Sequence, residues 1–335
     1  MKIMSRRFVV LTISSLLGLL SAILLGSFHS ASAQGSFPSQ VYAPYQDVTL
    51  GPTLKSVAQK TGQKYFTLAF ITNGGSCTAA WSGTVPLNQT STFLPHLTSD
   101  ISYIRSTGGD VSISFGGAAG TELALACSSA SSLQKQYQSV INAYKVTHLD
   151  FDIEGGTEGD TTSYNRRNTA LAALQKANPG LVISFTLPSA TTGLLSDSIG
   201  LLNNAKAKGV NFSIVNLMTM DYGGPDSHMG QDSINAANGL FNQLKAIYPS
   251  KTTGQLWSLV GLTNLIGQND TPKEIFTLSD AQKVLTFAQQ KHIGELSIWE
   301  VSRDNGSCPG STSDQDTCSG LSQSAYAFTN IFKTF

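Results

Sequence analysis

Across 335 residues, 21 basic side chains balance 21 acidic ones, and only 13% of the chain is charged against 41% hydrophobic. That charged fraction is about half the roughly 25% of an ordinary soluble domain, which excludes disorder by charge excess and a long Glu/Lys-rich coiled coil. The zero balance leaves no electrostatic footprint for a nucleic-acid partner.

The chain opens with Lys2, Arg6 and Arg7, runs apolar over residues 8–26 and reaches Ala31-Ser32-Ala33. A positive start, an apolar run and an A-x-A site describe a signal peptide. Residues 1–33 are therefore expected to be removed on export, with residues 34–335 forming a secreted, extracellular protein. No later stretch approaches the ~18 apolar residues of a membrane span, so no membrane association is expected after cleavage.

Past residue 40, β-rich runs alternate with segments of helical spacing. The strand candidates are residues 41–48, 65–72, 110–115, 147–153, 181–187, 212–222, 257–263 and 295–301. Leu133, Tyr137, Val140 and Tyr144 recur at four, three and four, one stripe of a helix. Leu171, Leu174 and Ala177 repeat the pattern before Asn178-Pro179. Ile234, Ala237, Leu240, Phe241, Leu244 and Tyr248 do so before Pro249, a stop. Ala281, Val284, Leu285 and Ala288 follow Ser279, the expected N-cap. Strands alternating with helices argue for parallel βαβ units, and eight such units have the size of one closed (β/α)8 TIM barrel. A doubly wound sheet would want a Gly-rich phosphate turn after its first strand, and Thr49-Leu50-Gly51-Pro52 is not one. The class is α/β, in a single barrel domain.

Four cysteines remain in the exported chain, where an oxidising compartment favours disulfides. Of the three possible pairings, a local bridge between Cys308 and Cys318 across a short Gly/Ser/Thr/Asp loop is expected, leaving Cys77 with Cys127. No C-x-x-C or paired-histidine spacing occurs, and His96, His148, His228 and His292 show no ligand spacing, so neither a metal nor a cofactor is read.

The most informative stretch is Leu149-Asp150-Phe151-Asp152-Ile153-Glu154-Gly155-Gly156. Residues two apart in a strand share a face, so Asp150, Asp152 and Glu154 line one side and Leu149, Phe151 and Ile153 the other. In a barrel the acids point inward, at the C-terminal end of the fourth strand, where barrel enzymes keep their chemistry. Like charges that close cannot all ionise, so at least one proton is expected to stay on the group near neutral pH, the condition for a general acid.

At this stretch the sequence resembles glycoside hydrolase family 18, the chitinase family, whose fourth strand carries D-x-x-D-x-D-x-E. The last three acids match Asp150, Asp152 and Glu154; Thr147 stands at the first. A second family motif, S-x-G-G on the third strand, reads Ser114-Phe115-Gly116-Gly117. On the sixth strand the family's M-x-Y-D is replaced by Met218-Thr219-Met220-Asp221-Tyr222, with Met220 in the usual tyrosine place. By strand parity Met218, Met220 and Tyr222 face together, which keeps a phenol at the site. Trp299 stands where the family places a tryptophan floor under the sugar. The Ala43-Pro44-Tyr45 start and the cysteine-bracketed tail resemble bacterial secreted members.

The resemblance implies retaining hydrolysis assisted by the substrate, whose 2-acetamido oxygen attacks the anomeric carbon to give an oxazolinium ion. It implies Glu154 as acid and then base, Asp152 as acceptor of the acetamide N–H, and Asp150 as the group sharing the proton of Asp152. Tyr222 with Asp221 would fix the acetamide carbonyl. Trp299, Met220, Tyr45, Ser114, Gly116 and Gly117 would contact the sugar. The implied partner is chitin or its N-acetylglucosamine oligosaccharides, bound by a monomer. An endo-β-N-acetylglucosaminidase acting on N-glycans and a non-catalytic chitin-binding barrel are the alternatives.

Overall fold

Each β-rich run forms a strand. The computed structural model describes residues 37–335, so the expected signal peptide lies outside the described residues. The first strand is interrupted: Val41–Tyr42 and Tyr45–Asp47 flank Ala43-Pro44, where proline has no N–H to give. The second to eighth strands are Tyr65–Asn73, Asp110–Gly116, His148–Asp152, Val182–Ala190, Ile214–Thr219, Val260–Leu265 and Glu295–Trp299. Each pairs in parallel with the next.

The interrupted first strand closes the ring. On one side Val41 and Tyr42 align with Glu295 and Leu296, and the Ala43 N–H donates to Leu296 O at 2.9 Å. On the other, Tyr45, Gln46 and Asp47 align with Thr67, Leu68 and Ala69, and the Thr67 N–H donates to Pro44 O at 3.0 Å. The architecture is a (β/α)8 barrel.

Helix Ala130–Tyr144 buries the stripe Leu133, Tyr137, Val140 and Tyr144, and starts at Ser129, whose side chain caps the Ser132 N–H and is answered by Ser132 in turn. The sixth strand, Ile214–Thr219, is shorter than the 212–222 of the sequence reading, and two helix boundaries also differ. Trp257 is not in the seventh strand: it ends helix Thr253–Trp257, which Thr252 and Gln255 close with a capping box. Helix Leu278–Lys291 is capped by Thr277 rather than Ser279, because Asp280 three residues on returns the bond.

Between strands and helices lies an apolar layer in which Phe151 stacks on Phe115 (ring centroids 5.2 Å apart, 8° between planes), meets Tyr137 edge-on and touches Phe185. Inside the barrel the opposite parity places Ser114, Asp150, Ser184, Thr186, Asn216, Thr263 and Ser297, all but the half-buried Ser184 buried. Cys77–Cys127 ties together the loops that follow the second and third strands, and Cys308–Cys318 staples the segment after the eighth.

Candidate active site

Register builds the site. Ser114 and Ser184 lie directly beside Asp150 on the flanking strands, and Gly116 and Thr186 beside Asp152. Asp150 therefore accepts four hydroxyl hydrogen bonds: from Ser114 (2.6 Å) and Tyr45 (2.8 Å) on Oδ2, and from Ser184 (2.7 Å) and Thr186 (2.9 Å) on Oδ1. Asn216 extends the network by donating to Thr186 Oγ1 at 3.2 Å and Thr263 Oγ1 at 2.6 Å. Burial pushes the Asp150 carboxyl up and the four hydroxyls pull it back, leaving it above the ordinary range.

One layer higher, Asp152 is buried and its Oδ1 has no hydrogen-bond partner. Burial holds its carboxyl well above the usual range, and the charges of Glu154 and Asp150 add to the rise. Glu154, half-buried, is also raised by burial; the nearness of the Asp152 carboxyl opposes this, and Glu158 and Asp270 reinforce it. Both carboxyls are thus held above their ordinary range, Asp152 the more strongly.

These acids open into a cleft of ≈ 500 Å3 at the C-terminal ends of the strands. Asp152, Glu154 and Gly155 line it with Tyr45, Met218, Met220, Asp221 and Trp299. The Trp299 ring stacks on Phe70 with centroids 5.3 Å apart and 16° between planes, and Tyr45 leans on it at 5.7 Å. Among the described residues no cluster of three or more His, Cys, Asp and Glu is arranged to hold a metal ion.

Three residues expected at the sugar do not line the cleft, and the reason is structural. Ser114 is spent on Asp150. Gly116 has φ +107°, and a Cβ there would lie 1.9 Å from Asp152 O; Gly117 has φ +85°, donates its N–H to that same oxygen at 3.1 Å, and a Cβ would strike the Phe70 ring at 2.6 Å. The S-x-G-G segment packs against Asp150, Asp152 and Phe70 and so supports the groups that line the cleft.

Tyr222 is the larger correction. The sixth strand ends at Thr219, and Asp221 takes φ +50°, so strand parity does not reach residue 222. The Tyr222 N–H donates to Glu274 Oε2 at 2.9 Å, its ring packs on the core, and its hydroxyl is buried without a hydrogen-bond partner. Burial raises the phenol far above its ordinary range, with Asp232, Glu274 and Asp226 adding to it. Asp221 does face the cleft; its Oδ1 accepts the Thr271 N–H at 2.7 Å, and burial raises its carboxyl.

Sequence reasoning missed Phe70, Asp47, Asp270 and Leu195, all of which line the cleft. Phe70 belongs by alternation to the outer face, but a register shift between Leu68 and Ile71 turns it inward. Asp270 left only a Gln-Asn-Asp turn composition as its signal. At the opposite mouth of the barrel, Glu295 is a further acid whose carboxyl burial, with Asp150 nearby, pushes up to about 8.

No protein-family model matches the chain. It is 35% identical over 321 residues, 90% of its length, to a probable bifunctional chitinase/lysozyme of Escherichia coli (strain K12). It is 35% identical over 285 residues, 80% of its length, to endochitinase 11 of Metarhizium anisopliae. The chain spans 35% and 53% of the lengths of those two proteins. Active domain 2 of a chitinase from Pyrococcus furiosus, whose catalytic-site mutants have been crystallised with chito-oligosaccharides, is 36% identical. The match covers 89% of this chain and 95% of that one, with a TM-score of 0.81. A GH18 chitinase from Pseudoalteromonas aurantia, 16% identical with a TM-score of 0.59, shares the fold.

Proposed function

We infer that this chain, which belongs to glycoside hydrolase family 18, the chitinase family, hydrolyses the β-1,4 linkages of chitin or its oligomers with the substrate's own acetamide as nucleophile. The observation that carries the reading is the graded carboxylate stack. Asp150 is saturated by four hydroxyl donors, Asp152 above it is raised and keeps an unpartnered oxygen, and Glu154 faces the cleft with its own carboxyl raised.

In this reading Glu154, protonated in the free site, gives its proton to the glycosidic oxygen as the bond to the anomeric carbon breaks. The acetamide oxygen attacks that carbon from the other face, closing the oxazolinium ring. Asp152 accepts the acetamide N–H and stabilises the positive charge that develops; Asp150 beneath it can share the proton that Asp152 holds beforehand. Water then opens the ring, and Glu154 takes up the water's proton, restoring the starting state. The stacked Trp299 and Phe70 rings offer an apolar floor for the sugar and its acetamide methyl. With Tyr222 turned away, Met218, Met220 and Asp221 are the sixth-strand groups that meet the sugar. As part of the same reading the protein is exported after loss of residues 1–33 and acts as a monomer.

A glycan without a 2-acetamido group at the cleavage position lacks the nucleophile, so cellulose and xylan should not be cut. The test is product release from N-acetylglucosamine oligomers by the purified protein beside Glu154→Gln. Turnover by the parent, reduced roughly 10²–10⁴-fold in the variant, is expected for a general acid–base. Binding without turnover in both would sink the enzyme reading and leave a chitin-binding barrel.

A further inference from the structure

The proposed hydrolysis leaves one acid of the lumen unused. Glu295 opens the eighth strand at the N-terminal mouth of the barrel, on the face shared by Ser297 and Trp299. It lines a cavity of ≈ 430 Å3 at that mouth, which shares no lining residue with the cleft. Thr67, Ser112 and Ser184 line the same cavity, and polar walls around such a volume admit water. The other titratable groups around Glu295 are Asp150 and Tyr45 in the lumen and His148 and Lys251 in the cavity wall. Burial holds the Tyr45 phenol well above its ordinary range and pushes the His148 imidazole down to about 4, so both are neutral. The Lys251 ammonium lies over the Tyr248 ring, 5.3 Å from its centroid.

Ser184 joins that cavity to the carboxylate stack. A carboxylate has about four lone-pair positions, and on Asp150 the hydroxyls of Ser114, Tyr45, Ser184 and Thr186 occupy them. A proton arriving from Asp152 therefore needs one of the four to let go. Ser114, Tyr45 and Thr186 are fully buried, and none of them lines the rear cavity. Ser184 is half-buried and does line it. It is the one of the four whose proton can turn into a space that sugar in the cleft does not cover.

We propose that Ser184 and Glu295 are positioning residues for the proposed hydrolysis, on which this role rests: as Asp150 takes up the proton that leaves Asp152, Ser184 turns its hydroxyl from Asp150 into the rear cavity, where water and the Glu295 carboxyl accept it. The one O–H bond that breaks is on Asp152 and the one that forms is on Asp150; the Ser184 proton stays on its oxygen. Burial, with the Asp150 charge adding to it, pushes the Glu295 carboxyl up to about 8. Once ionised, that carboxylate is the stronger acceptor for Ser184, and its charge helps to hold the proton on Asp150. The rear acid thus sustains turnover as the pH rises.

The experiment measures kcat and KM on an N-acetylglucosamine oligomer from pH 6 to pH 9 for the parent, Glu295→Gln and Glu295→Asp. Glutamine is a neutral isostere of the protonated acid, so the size is kept and only the ionisation is removed. The ratio of parent to Glu295→Gln kcat should grow roughly threefold to tenfold across that range, while the ratio of KM values stays flat. Glu295→Asp should restore the parent's profile. With Ser184→Ala in both proteins, the kcat ratio should lose most of its pH dependence, because the hydroxyl that couples the two acids is gone. A kcat ratio that is constant with pH is the mark of a merely structural acid. That result, or a ratio that varies as much without Ser184, would overturn the proposal and leave the hydrolase reading intact. Absence of cleavage by the parent at every pH would sink both.

Discussion

The fourth strand divides two buried regions residue by residue. Leu149, Phe151 and Ile153 face the helices, in a layer of stacked rings; Asp150 and Asp152 face the lumen, in a layer of hydroxyls and carboxyls. Both are equally dry. The lumen of such a barrel is ordinarily filled by branched apolar side chains, and here serines, threonines and an asparagine take that place. Burial therefore stabilises through the outer layer, where apolar area leaves water, whereas the lumen is a polar network, closed around Asp150 and left open at Asp152 Oδ1, that costs desolvation and returns pre-organised charge.

If that division is right, the two faces should fail differently. Phe151→Ala should cost about 3–5 kcal/mol of stability, read from denaturant unfolding, while kcat of the folded fraction holds. Asp150→Asn should do the reverse in proportion. Its amide nitrogen cannot accept from the two hydroxyls that now serve one carboxylate oxygen, so stability falls by only about 1–3 kcal/mol. Turnover on N-acetylglucosamine oligomers should drop on the order of 10–100-fold, because Asp152 loses its partner. Loss of kcat in Phe151→Ala, or an Asp150→Asn variant of full activity, would break the comparison.

The same alternation explains what could be read without a structure. Period two on residues 149–154 is local, so it named the three acids, their common face and the ring layer behind them. The S-x-G-G segment was legible as a motif but not as a support, because the contacts of Gly116 and Gly117 with Asp152 and Phe70 are made across strands. Phe70 escaped because a register shift reverses its face, and Asp270 because the approach of a loop to the cleft is set by tertiary packing. Trp257 looked like a strand residue by composition, yet the capping box of Thr252 and Gln255 makes it the end of a short helix.

A smaller effect should sharpen the contrast through pH. Glu300 is buried beside the cleft rim, accepting the Asp47 N–H at 2.5 Å, and burial pushes its carboxyl up to about 8. An unfolded glutamate titrates near 4.3. Between those values the folded protein keeps a proton that the unfolded chain releases, so stability present at low pH is lost as pH rises through about 8. The melting temperature should be lower at pH 8 than at pH 5 by on the order of 5 °C, and Glu300→Gln should flatten that slope. A melting temperature that rises over this range would contradict the assignment of buried protonated acids.

The smallest expected effect tests the place where strand parity misled. Tyr222 carries the phenol that the sixth strand would aim at the sugar if it ran on, but the positive φ at Asp221 swings it toward Asp232 and Glu274, and its hydroxyl meets no partner. Ser233 comes near this buried hydroxyl without forming a well-shaped hydrogen bond, so removing it forfeits little and relieves its desolvation. Tyr222→Phe should therefore change kcat less than about twofold and stability by no more than about 0.5 kcal/mol. Asp221→Asn, at a side chain that lines the cleft, should cost more. A fall of 100-fold in Tyr222→Phe would mean that the segment after Thr219 rearranges when substrate binds, bringing the phenol into the cleft. The polar face of the barrel would then reach one residue further than its resting geometry allows.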